Sequence, residues 1–182
     1  MTRKLKSVGA KALGLMVVGS LALSSAARAQ APAHQLVLSG YADGVQGENL
    51  ITGRYELVIE QLASHRGHFE EDEVSASTNL CVAYIMTRHL GAAHAACDEA
   101  LRDAKLDLSS STMLSRLAHN EEVALAYSNR AVLKLLQGQP SGAADDMGRA
   151  RALSQAQYVS QNLSAVMQAA PTVAAATRAG SL

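Results

Sequence analysis

Few residues of this chain are arranged for chemistry. Cys81 and Cys97 can form one disulfide or remain two thiols. Six histidines invite a metal reading. His65 and His68 stand three apart with Glu70, Glu71 and Asp72 close behind, and His89 and His94 flank a turn. A zinc site needs three or four ligands converging from fixed elements. The His65–His68 pair reads as part of a turn, and no further ligand is spaced to complete a set. No serine or cysteine occupies a glycine elbow, no phosphate-cradling loop is present, and no carboxylate pair has an apolar pocket implied around it. Asp145 and Asp146 are neighbours in a helical stretch, so they are expected to point apart on a solvated face. The sequence thus predicts no catalytic residue, no metal ligand set and no cofactor. The chain reads as a binder and not an enzyme. The alternative is a small helical metal-binding protein or enzyme that uses the histidine and acidic turn at residues 65–72.

The elements that carry these residues are helices. Asn79 to Leu101 reads as two of them folded back on each other. Leu80, Tyr84 and Thr87 share one face, and Ala93, Cys97, Ala100 and Leu101 share another, at spacings of three and four. Gly91 lies between the runs, where a tight turn favours a residue without a β-carbon. So short a turn makes the pair antiparallel, and Cys81, Ala83, Ala93, Ala96 and Ala100 allow close approach. The same period runs through Tyr55, Val58, Ile59 and Leu62 upstream. Downstream it resumes after a polar break, Asp107 to Ser111. Gly138 and Pro140 mark a second turn. Gln30 to Gly53, broken by one proline and several glycines, reads as an irregular arm with a short extended piece near Gln35 to Leu38.

Leu80-Cys81-x2-Tyr84 followed by Ala93-x3-Cys97-x2-Ala100 resembles the tetratricopeptide repeat (TPR). Ser77 stands where that family has its first large residue. Ala126-Tyr127-Ser128-Asn129-Arg130-Ala131, then Ala143-x3-Met147-x2-Ala150, resembles a second unit. Asn129 follows Asn79 by 50 residues, so about 16 are inserted relative to the 34-residue period. That insert, Leu108 to Val123, places Met113, Leu114 and Leu117 at helical spacing and is expected to lengthen the next helix or add a turn. Tyr158, Asn162, Leu163 and Val166 repeat the first-helix pattern with no second helix after them, as a capping helix would. Gly53-x-Tyr55 resembles the opening of a second helix whose first helix is missing, a half repeat. The resemblance implies an all-α fold, a short right-handed solenoid of antiparallel helical hairpins over residues 53–169, with a flexible tail at 170–182. It also implies binding of a peptide, extended segment or protein.

Residues 1–29 read as a cleavable signal peptide: Arg3, Lys4, Lys6 and Lys11, an apolar run from Ala12 to Leu23, then Ala27-Arg28-Ala29. The run is shorter than the roughly 20 residues of a membrane span. Cleavage after Ala29 would place the mature chain in the periplasm or outside the cell, with no span left. Residues 1–29 hold five of the 16 basic residues and none of the 16 acidic ones, so the remainder has a net charge of −5 with histidine neutral. That balance, with five tyrosines, one phenylalanine and no tryptophan, argues against nucleic acid or an anionic membrane surface as partner.

First helices of the family line a concave face. Here that face would be Thr78, Val82, Ile85 and Met86, then Ser128, Val132, Leu135 and Leu136. It is unusually apolar and suits an apolar segment of a partner in the cell envelope, unless the arm at Gln35 to Tyr41 or the insert fills it. Within the central hairpin, Cys81 and Cys97 face each other about two turns from the loop. An exported chain with two cysteines favours a Cys81–Cys97 disulfide. Two buried free thiols are the alternative.

Overall fold

The computed structural model describes residues 15–21, 35–64, 73–106 and 112–179. In chain order they form β1 (Leu15–Leu21), β2 (Leu36–Tyr41), α1 (Gly44–Ile51), α2 (Tyr55–Ser64), α3 (Glu73–Met86), α4 (Leu90–Leu106), α5 (Met113–Leu136), α6 (Pro140–Leu153) and α7 (Gln157–Ala179). The chain is predominantly helical. Its two strands pair antiparallel, and they are the only sheet among the described residues. Each helix packs on the next. The odd-numbered helices α1, α3, α5 and α7 also touch one another in turn, and all four touch β2. The strand therefore lies along one layer of helices, while α2, α4 and α6 form the layer behind. No described helix is long and apolar enough to cross a membrane.

Three hairpin turns share one hydrogen-bond pattern. Thr52, Gly53 and Arg54 donate to Glu48, Leu50 and Asn49. Thr87, Arg88 and His89 donate to Ala83, Ile85 and Tyr84, and Gln137, Gly138 and Gln139 donate to Leu133, Leu135 and Lys134. In each, the middle residue is left-handed: φ is 75° at Gly53, 64° at Arg88 and 72° at Gly138. This is the Schellman way of closing a helix, which satisfies the last orphan carbonyls. It corrects the sequence reading of the central turn. The left-handed residue is Arg88. Gly91 is the second residue of α4, with open space where a side chain would be. Pro140 opens α6 at a position where its missing N–H costs nothing.

Within the stretch read as an irregular arm, Leu36–Tyr41 form β2 and Gly44–Ile51 form α1. Glycines at 44 and 47 argued against a helix there. Gly47 is required by packing instead, because a β-carbon at that position would collide with the Ala42 backbone. The unit that opens at Gly53 thus has a first helix, eight residues long. The insert does lengthen the following helix. α5 has 24 residues, and the Thr112 side chain caps it by accepting from Ser115 N. Met113, Leu114 and Leu117 on that extension are exposed. α7 continues to Ala179, past the proposed tail boundary at residue 170.

The central hairpin α3–α4 is closed by the Cys81–Cys97 disulfide, with α-carbons 4.7 Å apart. Ala93, Ala96 and Ala100 around it have essentially no exposed surface, and the two sulfurs are buried with them. Small residues at this crossing let the helices approach to bridging distance. Behind it, α4, α5 and α6 are tied by charge. Asp146 accepts from Arg130 Nε and Nη2, both at 2.8 Å, and pairs with Lys134 Nζ at 2.7 Å, while Arg130 Nη1 reaches Asp98 at 2.8 Å. Asp146 is 1% exposed. The solvated face expected for Asp145 and Asp146 holds only for Asp145, because one residue of rotation turns its neighbour inward toward Arg130.

Candidate functional site

Three of the four odd helices carry one asparagine each on the groove side: Asn79 on α3, Asn129 on α5 and Asn162 on α7. All three are buried. A carboxamide offers one acceptor and a donor group side by side, which matches the N–H and C=O that one strand residue turns to the same edge. Asn162 Oδ1 accepts from Val37 N at 2.8 Å, and its Nδ2 donates to Val37 O at 2.7 Å. Asn129 does the same for Ser39, at 3.1 and 2.7 Å. Asn79 does so for Tyr41, at 2.8 and 3.0 Å. Alternate residues of β2 are thereby gripped by successive odd helices, in an order antiparallel to the helix order. The repeat of two residues along a strand, about 6.6–6.8 Å, is matched by asparagines brought in from three separate helices.

Supporting residues fix this ladder. Asn162 Nδ2 also donates to Ser128 Oγ at 2.9 Å, which holds the amide plane. Gly40 lets the strand come close: a β-carbon there would lie 2.6 Å from Asn79 Oδ1 and 2.5 Å from Leu50 Cδ2. Side chains of β2 are buried on both faces. Leu36 and Leu38 pack in a cluster with Leu50, Val82, Ile85 and Val132. Val37 packs in a second with Val123, Tyr127, Val159 and Val166. Burying leucine-sized side chains contributes roughly 1.5–3 kcal/mol each, so the strand is held by its side chains as well as by its backbone.

Of the residues expected to line a partner groove, Val82, Ile85 and Val132 pack in one buried cluster with Leu36 and Leu38 of β2. Thr78, Val82, Ile85, Ser128 and Val132 are buried, and Met86, Leu135 and Leu136 are half-buried at its margins. They do not form an open cleft, because residues 36–41 of the same chain occupy it. Their roles also differ. The apolar members bed the strand's leucines, whereas Ser128 supports an asparagine. The asparagines escaped the sequence reading as functional residues. They were visible there only as markers of spacing, each being a polar residue at an equivalent place on an apolar helix face. That recurrence was the available signal.

The histidines show no convergence among the described residues. His94 Nδ1 sits 3.2 Å from Asp98 Oδ2, one helical turn on, and His89 Nδ1 lies 3.3 Å from Thr87 Oγ1. His65, His68 and the acidic run behind them lie outside the described residues. A separate cluster surrounds the buried Tyr127: Lys105 Nζ is 5.0 Å from its ring centroid, and the guanidinium carbons of Arg130 and Arg149 are each 5.6 Å away. Burial alone would raise the phenol, but Lys105 and Arg149 hold it below its ordinary value. The cluster ties α4, α5 and α6 together through cation–π contacts.

What the site can do chemically is grip an extended backbone through three amides, while buried pockets for Leu36, Val37 and Leu38 and the tight fit at Gly40 restrict which segment it takes. Compared with protein-family models, curated proteins and solved structures, the chain matches none of them.

Proposed function

We propose that this protein is an exported protein-interaction module of TPR-like architecture. In this reading a right-handed array of hairpins, capped by α7, clamps residues 36–41 as a strand and presents them to a protein or peptide partner in the cell envelope. The asparagine ladder carries the proposal. Three bidentate contacts to backbone hold an extended segment rigid, which lowers the entropy cost of engaging a partner. Three hairpins closed by the same turn, with alternate helices facing the strand, support the repeat reading. A disulfide suits an oxidising compartment, which supports export and cleavage after Ala29. The half-buried Met86, Leu135 and Leu136 offer adaptable apolar contacts beside the strand.

The test is affinity capture from envelope extract by the exported protein, compared with an Asn79→Ala/Asn129→Ala variant of unchanged helicity. The reading expects a defined set of captured proteins that the variant loses. An identical set from both forms would contradict it.

A further inference from the structure

The clamp engages only one edge of β2. Val37, Ser39 and Tyr41 turn their N–H and C=O to the asparagines, so the alternating geometry of a strand turns those of Leu36, Leu38 and Gly40 to the opposite edge. In this structure β1 occupies that edge, antiparallel, with Met16 opposite Gly40 and Leu21 opposite Leu36. β1 belongs to the stretch whose composition reads as a signal peptide. It also fits the edge imperfectly. Val17 pairs with Ser39 and Ser20 with Val37, which leaves Val18 and Gly19 opposite the single residue Leu38. Such a bulge interrupts the ladder locally.

We infer that the outer edge of β2 is a strand-addition site, which accepts an extended, uncharged aliphatic segment of a partner protein in antiparallel orientation in the place β1 holds here. The inference rests on the export reading above, because loss of residues 1–29 is what vacates the edge. Three observations support it. The site already seats such a strand, Leu-Met-Val-Val-Gly-Ser-Leu, which supplies the chemistry of the occupant. β2 itself carries no sequence device that blunts an edge: between Leu36 and Tyr41 there is no lysine, no proline and no bulge on its own side. The asparagine clamp fixes β2 in place, so the partner alone is ordered on binding, and main-chain hydrogen bonds supply affinity as in other strand additions.

The experiment uses protein recovered from the envelope of producing cells. Its mass is measured first. A mass that begins at Gln30 supports the export reading. A mass that retains residues 1–29 overturns that reading, and the inference with it, since β1 would then be the permanent partner. The processed protein is then titrated with a synthetic peptide carrying the Leu15–Leu21 sequence between lysines, and with the same peptide N-methylated at Met16, whose amide faces Gly40. Amide exchange is followed by NMR. The inference expects Leu36, Leu38 and Gly40 to exchange fast in the free processed protein and at least tenfold slower with the plain peptide, while Val37, Ser39 and Tyr41 stay protected throughout. The N-methyl peptide should give no slowing. No slowing with the plain peptide would overturn the inference while the mass result stands. Equal slowing by both peptides would mean apolar adsorption, and would also overturn it. So would a processed protein already dimeric with the outer amides protected, in which a second copy takes the edge.

Discussion

Asn129 and Ser39 lie 90 residues apart and exchange two hydrogen bonds, with Ser39 N donating to Asn129 Oδ1 at 3.1 Å and Asn129 Nδ2 donating to Ser39 O at 2.7 Å. Asn129 is thus a replacement for a neighbouring strand, delivered on a helix. With Asn79 and Asn162 it turns three helix faces into one strand edge. That arrangement satisfies the inner-edge backbone groups of a largely buried segment, a condition for burying a strand against helices.

The close approach of β2 depends on Gly40. In Gly40→Ala, Leu50 can shift its flexible end, but Asn79 Oδ1 is held by Tyr41 N. The expected cost is about 1–3 kcal/mol of overpacking. Calorimetric unfolding checks it, with faster amide exchange at Tyr41 as the local sign.

Reduction of the Cys81–Cys97 disulfide releases a link across 16 residues of sequence. In the chain-entropy view the loss is about 3 kcal/mol. Thermal unfolding with and without reductant should show a clearly lower Tm for the reduced form. Thiol counting on denatured, unreduced protein should find none free.

Arg88 occupies a left-handed position that the two equivalent turns give to glycine. Arg88→Gly should relieve a backbone penalty of about 1 kcal/mol and stabilise the protein. Because Arg88 is exposed, little packing is lost. An unchanged or lower stability in denaturant titration would refute this account of the turn.

Asp146 sets an acid limit. Burial alone would raise its carboxyl, but hydrogen bonds from Arg130 and Lys134 hold it below its ordinary value of 3.8. A depressed folded value contributes stability that is present above the unfolded value and lost as pH falls through the folded one. Stability should therefore be level in this respect above about pH 4 and fall steeply below. Asp146→Asn should flatten that slope and cost roughly 3 kcal/mol at neutral pH, since it leaves Arg130 and Lys134 partly unpaired. Denaturant titrations of both proteins across pH 2–7 check the sign.

How far the sequence could be read follows from which signals are local. The helices of the central and third hairpins, the lengthened α5 and the cysteine pairing follow from apolar spacing and small residues at close crossings. Gly91 misled because a glycine beside a turn reads as the turn, whereas Arg88 is forced into the left-handed state by the hairpin around it. α1 was missed because its Gly47 reads as a helix breaker, whereas it is there to clear the Ala42 backbone. Asp146 was misplaced because its burial depends on Arg130, 16 residues away. The groove residues were legible by periodicity. Their occupant was legible only as one alternative, the arm at Gln35 to Tyr41, and the asparagines that hold it were not, since each contact joins residues 38 to 125 apart in sequence.

Residue-resolved amide exchange on the intact protein and on Asn129→Leu tests the clamp most directly. The account predicts slow exchange at Val37, Ser39 and Tyr41 in the intact protein. In Asn129→Leu it predicts selective loss of protection at these three positions, with the helices still protected. Fast exchange at Ser39 in the intact protein, or protection there that survives the loss of Asn129, would contradict it.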